Sequence, residues 1–242
     1  MNSKVALQLH RASSPVECLG SGLSGVFTKQ DSIELAAGIL PVFYPNGGLF
    51  FMEGQPASGV FLLRTGKVKE TVVSNRGKTA IVRVAGPGDI LGLSAVLVSG
   101  VYESSAETLE PTHADFMRKA PFLRGLSTSP QLAKMVATQL SRNCKEAYDA
   151  IRCFGLSTSV PERVARLLLH WAECPLTNGN SDTVGIKIRV TFTHEEMAQF
   201  VGSTRETMSR VLAEFRRRKW LRVVGSVWTI VNEGEIRRMA AI

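Results

Sequence analysis

Residues 193–218, THEEMAQFVGSTRETMSRVLAEFRRR, decide the architecture of the second half of the chain. Thr193 precedes Glu196 by three positions, and Ser203 precedes Glu206 by three. Each pair has the spacing of a capping box, in which a hydroxyl and a carboxylate satisfy free N–H groups where a helix starts. The spacing therefore predicts two helix starts ten residues apart. Met197, Phe200 and Val201 supply one apolar stripe, and Met208, Val211, Leu212 and Phe215 supply the next at the same spacing of three and four. Gly202 stands between them as the turn residue.

On the outward side of the second helix the pattern leaves Arg205, Glu206, Ser209 and Arg210, near its N-terminal end. A helix lying in the major groove of DNA touches base edges with that end. Arginine reads guanine O6 and N7 through two hydrogen bonds, and glutamate accepts from cytosine N4. Glu206 and Arg210 also have the i,i+4 spacing of an ordinary surface salt bridge, a reading that leaves Arg205, the tight turn and the two caps unexplained. Arg216, Arg217, Arg218, Lys219 and Arg222 follow, a set suited to phosphates and equally to a solvated face. Residues 221–231, LRVVGSVWTIV, alternate loosely around Gly225-Ser226 and predict a β-hairpin. Helix, turn, helix and hairpin make a winged helix-turn-helix.

The 242 residues have room for one large or two ordinary domains, and the formal charge of +8 favours a polyanionic partner. Cys18, Cys144, Cys153 and Cys174 are scattered without CxxC spacing, which reads as reduced thiols in a cytoplasmic protein. No apolar run reaches the roughly 18 residues of a membrane span, so no membrane partner is expected. Metal-ligand spacing, a nucleophile elbow and a GxxxxGK[ST] loop are all missing, so no catalytic or metal residue is assigned and the chain does not read as an enzyme.

Upstream, residues 1–30 are rich in Ser and Gly and predict a flexible arm, with a short helix near 32–38. From Pro41 to Met117, short apolar stretches are punctuated by Gly47-Gly48, Gly54, Gly59, Gly66, Gly77 and Gly86-Pro87-Gly88, the pattern of a small antiparallel barrel or sandwich. In residues 129–156, Leu132, Val136, Leu140, Ala147, Ile151 and Phe154 keep a spacing of three or four, sometimes doubled. A helix of about 25 residues is about 38 Å long, more than one small barrel can cover. Such a helix either packs along its own domain or meets a second copy. Leu156–Pro161 predicts a hinge into a helix carrying Val164, Leu167, Leu168 and Trp171 and ended by Pro175. An exposed turn at 178–182 and a strand over 184–190 lead back to the first capping box.

Val60–Val68 (VFLLRTGKV) followed by Gly86–Gly92 (GPGDILG) resembles the cyclic-nucleotide-binding β-roll. Joined to the helix-turn-helix, residues 40–235 resemble the bacterial CRP/FNR transcription regulators. The resemblance implies an α+β chain: an antiparallel β-roll of the double-stranded β-helix or jelly-roll type over 31–128, a long dimerisation helix over 129–156 and a winged helix-turn-helix over 157–242. It implies a homodimer on double-stranded DNA, at an inverted repeat with TGTGA-like half-sites. Arg205 and Arg210 would meet guanines and Glu206 a cytosine, with Ser209 beside them and Thr193, Ser203, Thr204 and Thr207 against the backbone. The turn 175–182 matches a loop with which family activators touch RNA polymerase.

The same resemblance puts an effector pocket at Gly92, Leu93, Ser94, Ser104, Ser105 and Glu146. In members that bind cAMP a Gly-Glu pair takes the ribose and an Arg-Ser or Arg-Thr pair takes the phosphate. Here Leu93 replaces the glutamate, Ser104-Ser105 stands where the arginine pair is expected, and Glu146-Ala147 replaces the helix's Thr-Ser. Without that arginine a phosphate loses its charge-assisted contact, which argues against cAMP, and no cofactor is assigned. The serines suit a different polar ligand and equally a solvated surface. An iron–sulfur cluster needs several N-terminal cysteines, whereas Cys18 is alone there. The alternatives are a cyclic-nucleotide-responsive module acting by protein contact, a haem- or other small-molecule-sensing member of the family, and a regulator governed by its own abundance.

Overall fold

Short strands joined by glycine turns build the first half of the chain, each burying apolar side chains before it must reverse. The computed structural model describes residues 39–151, 155, 159–173 and 185–240. The expected arm and its short helix, Phe154, the hinge residues 156–158 and the turn 175–182 lie outside them. The chain divides into two compact units: Lys78–Ile81 group with the residues from Ala147 onward, and the rest of the chain up to Glu146 forms the other.

In the first unit β1 (Ile39–Tyr44), β8 (Thr112–Arg118), β3 (Gly59–Thr65) and β6 (Ile90–Leu91) form one four-stranded sheet in that order. A second sheet has the order β2 (Leu49–Phe51), β7 (Ser105–Thr108), β4 (Val68–Val73) and β5 (Thr79–Ala85). The pairs β1–β8, β3–β8, β3–β6, β2–β7 and β4–β7 are antiparallel. Side chains from both sheets meet in a single apolar cluster that includes Val42, Phe51, Phe61, Leu63, Val68, Leu91 and Ala106. The expected β-roll is therefore formed.

Helices α1 (Lys119–Thr128) and α2 (Pro130–Ala150) close this unit. Phe122 of α1 and Leu132 and Val136 of α2 sink into the same cluster, and Leu140 packs against its edge. Further along the predicted stripe the burial stops. Ala147 is exposed, Tyr148 keeps 62% of its surface and Ile151 keeps 59%.

The second unit begins with α3 (Val160–Glu173), whose start is capped by Ser159: its Oγ accepts from Glu162 N at 3.3 Å, and Pro161 sits in the first turn. Then come β9 (Ile186–Arg189), α4 (His194–Phe200), α5 (Arg205–Arg217), β10 (Leu221–Val224), β11 (Val227–Ile230) and α6 (Glu233–Met239). The three strands form an antiparallel sheet in the order β10-β11-β9, and Gly225-Ser226 is the two-residue turn of the predicted hairpin. Met208, Val211, Leu212 and Phe215 of α5 are all buried, in a core shared with Leu167 and Leu168 of α3 and Met197 of α4. Among the described residues no helix is long and apolar enough to cross a membrane.

Helix α5 ends in a way the sequence does not announce. Lys219 has φ 59°, the left-handed conformation usually left to glycine, while Trp220 N reaches Phe215 O at 2.9 Å and Lys219 N reaches Arg216 O at 3.0 Å. That is a Schellman ending with lysine in place of glycine, at a cost of about 1 kcal/mol. Lys219→Gly is expected to stabilise the fold by about that amount in urea denaturation; no gain would mean the lysine side chain offsets the strain with contacts of its own.

Candidate nucleic-acid interface

Two helix starts and one turn set the geometry of 193–218. At the first start Thr193 Oγ1 accepts from Glu196 N at 3.2 Å and Glu196 Oε2 accepts from Thr193 N at 2.9 Å, a complete capping box. The second start differs from the expected Ser203–Glu206 box. Helix α5 is capped one residue later by Thr204, whose Oγ1 accepts from Thr207 N at 3.3 Å. Ser203 is already committed to ending α4: Gly202 is left-handed at φ 62°, and Ser203 N closes back onto Ala198 O at 2.9 Å. Arg163 of α3 adds a charged donor to the same turn, its Nε reaching Val201 O at 2.7 Å.

With its apolar stripe buried, α5 turns Arg205, Glu206 and Arg210 outward, all three exposed. Glu206 and Arg210 form no close ion pair among the described residues, and the charges of Arg205 and Arg210 act on the Glu206 carboxyl only as lesser influences. The Glu206 carboxyl is held below its ordinary range first by a hydrogen bond from its own backbone N–H, then by the Thr204 side chain. It is thus a pure acceptor poised at the helix N-terminus. Ser209 is half-buried, its Oγ 2.9 Å from His194 Nδ1, so α4 fixes the orientation of that hydroxyl. Thr193 and Thr204 are exposed, Thr207 is half-buried with its Oγ1 3.1 Å from that of Thr204, and Ser203 is half-buried in the turn.

The arginine run is less free than its sequence suggests. Glu214 binds Arg217 at 2.8 Å and Arg218 at 2.5 Å, and these bonds, that from Arg217 first, hold its carboxyl at about 2. Arg216, Lys219 and Arg222 are exposed and outside that cluster. Arg163 carries no signal in the sequence: it is a charge on an amphipathic helix, and only the fold brings it to the turn.

The first unit contains a cavity of about 100 Å³ where the effector residues were expected. Gly92, Leu93, Ser94 and Ser104 line it. Gly92 has φ 77°, and a Cβ there would come within 2.8 Å of Tyr102. Leu93, in the place of the expected glutamate, is 2% exposed and belongs to the apolar core. Ser105 is not part of the lining; its Oγ accepts from Glu53 N at 3.0 Å. Glu146 is outside the lining too, on an exposed position of α2. His113 stands on the exposed face of β8 against Phe43, apart from the lining. The sequence reading missed Arg83 of β5, which lines the cavity and is paired with Glu70. Burial works against its charge, but Glu70, Asp89 and Glu146 together outweigh burial and raise its pKa above the usual arginine value.

Comparison with known proteins agrees with both halves. The Crp-like helix-turn-helix domain matches residues 162–239, and the cyclic nucleotide-binding domain matches residues 41–129. The chain is 28% identical over 220 residues to the CRP-like cAMP-activated global transcriptional regulator of Mycobacterium tuberculosis, covering 90% of this chain and 96% of that protein. It is 27% identical over 201 residues to the nitrogen fixation regulation protein FixK of Bradyrhizobium diazoefficiens, covering 83% and 81%. The c-di-GMP-responsive global regulator CLP of Xanthomonas campestris superposes with a TM-score of 0.72 at 20% identity, over 85% of this chain and all of that one, a likeness of fold. With both domains matched in this order, the chain belongs to the CRP/FNR family of transcriptional regulators, with a helix-turn-helix DNA-binding domain.

Proposed function

We propose that the chain works in the cytoplasm as a homodimer that binds an inverted repeat with TGTGA-like half-sites. One observation carries the base-reading assignment: α5 sinks its apolar stripe in the core and leaves Arg205, Glu206 and Arg210 exposed at its N-terminal end, with Glu206 and Arg210 unpaired to each other. Arg205 and Arg210 suit guanine, Glu206 suits the N4 of cytosine, and Ser209 adds a hydroxyl whose direction His194 sets. Thr193, Ser203, Thr204 and Thr207, with Lys219, supply sequence-blind contacts to phosphates.

The exposed stripe of α2 supports the dimer. Ala147, Tyr148 and Ile151 continue the spacing of Leu140, with Cys144 between them, and all three are exposed. Two recognition helices related by a two-fold would meet half-sites about 34 Å apart, one helical turn of DNA. The cavity lacks the ribose glutamate and the phosphate arginine expected of a cAMP site, so no nucleotide cofactor is assigned. By family resemblance, the turn 175–182 is the segment offered to RNA polymerase.

Fluorescence anisotropy on a TGTGA palindrome and on a scrambled duplex tests the base readers. Arg205→Ala is expected to lose about 1–3 kcal/mol on the palindrome and little on the scrambled duplex, whereas Lys219→Ala weakens both about equally. Equal losses for Arg205→Ala on the two duplexes would sink the assignment. Tyr148→Glu places a charge in the helix stripe and is expected to yield a monomer in sedimentation; an unchanged dimer mass would put the seam elsewhere. Replacing residues 175–182 is expected to leave DNA binding intact and lower transcript yield in vitro, and an unchanged yield would remove RNA polymerase as their partner.

A further inference from the structure

Arg83 reaches from the sheet to the long helix beside the cavity. Its Nε donates to Glu70 Oε2 on β4 at 2.5 Å, and its Nη1 donates to Asn143 Oδ1 on α2 at 2.6 Å. Glu146 Oε2, one helical turn further, lies 3.9 Å from the same Nη1. Buried Gln139 donates its Nε2 to Asn143 Oδ1 at 2.8 Å, so two donors hold one helix acceptor. The Arg83 and Glu70 side chains keep only 12% and 13% of their exposure.

Helix α2 has two kinds of attachment to its β-roll. Through Leu132, Val136 and Leu140 it is held by apolar packing. Beyond Leu140 the side-chain contacts to the β-roll are polar: Arg83 to Asn143 and Glu146, and Arg142 to Asp89 at 3.4 Å. A guanidinium suits this work because its donors lie in a rigid fork and serve a strand and a helix at once. The space left beside it, about 100 Å³, falls short of the roughly 300–1,000 Å³ of small-molecule pockets. An entering anion would also face the carboxylates of Glu70 and Glu103, with the one arginine already paired.

We propose that Arg83 is the built-in occupant of the cavity: it ties β4 and β5 to the second half of α2, holds that helix in place without a small molecule, and excludes a cyclic nucleotide. The proposal goes beyond the DNA-binding reading and stands independently of it. Arg83 acts here as a positioning residue.

Hydrogen exchange on the full chain tests it without DNA. Arg83→Met alone strands the Glu70 charge and risks misfolding, so it is combined with Glu70→Gln. Asn143→Ala leaves the Arg83–Glu70 pair intact and removes only the helix anchor. In both variants amide exchange over 139–146 is expected to rise about tenfold, while 130–136, held by Leu132 and Val136, stays as in the wild type. In Asn143→Ala the strands β4 and β5 keep their protection, which a general loss of structure would not allow. Millimolar cAMP is expected to leave exchange of the wild-type chain unchanged. Wild-type exchange over 139–146 in both variants, or protection of that segment by cAMP in the wild type, overturns the proposal.

Discussion

The turn from Val201 to Thr204 is the constraint on which the recognition surface depends. It has to end one helix and start another within four residues, so several of its backbone groups are committed. Ser203 closes onto Ala198, Val201 accepts from Arg163, and Thr204 opens the next helix. The exit direction of α5 follows, and burial of Met208, Val211, Leu212 and Phe215 fixes its rotation. A slip of one residue would turn the helix by about 100°, driving a charged side chain toward the core. Arg205, Glu206 and Arg210 therefore face outward because their neighbours face inward.

The basic surface is narrower than its residue count. Glu214 holds two arginines of the run in exposed ion pairs, which add little to stability but orient the guanidinium groups. Arg216, Lys219 and Arg222 sit outside that cluster, and Lys219 occupies a strained backbone position. Strain kept at a charged residue where glycine would sit more easily fits a residue retained for its side chain.

The recognition half was legible because its signals are local. Capping spacing, a turn glycine and a stripe of three and four need no knowledge of the remaining chain, and the hairpin turn at Gly225-Ser226 is equally local. The cap is Thr204 and not the expected Ser203 because adjacent hydroxyl residues look alike in the sequence; the choice falls to Gly202, whose left-handed turn consumes the next N–H. The cavity was legible only in part. Gly92, Leu93, Ser94 and Ser104 follow one stretch of chain, but Arg83 joins Glu70 and Asn143 across 13 and 60 residues of sequence. In the strand it is a single charge among apolar residues, with nothing local to say which groups it meets. Nothing short of the folded sheet against its helix marks it as buried.

Two outer edges of the sheets make poor templates for another strand. β1, at one edge, carries Pro41 in its middle, where a backbone donor is missing. β10, at another, is four residues long and carries exposed Arg222. Short length, proline and charge are the devices that keep strands of neighbouring molecules from zipping together in crowded solution. An edge protected in this way does not recruit strand after strand, the open-ended form of association that closed symmetry avoids.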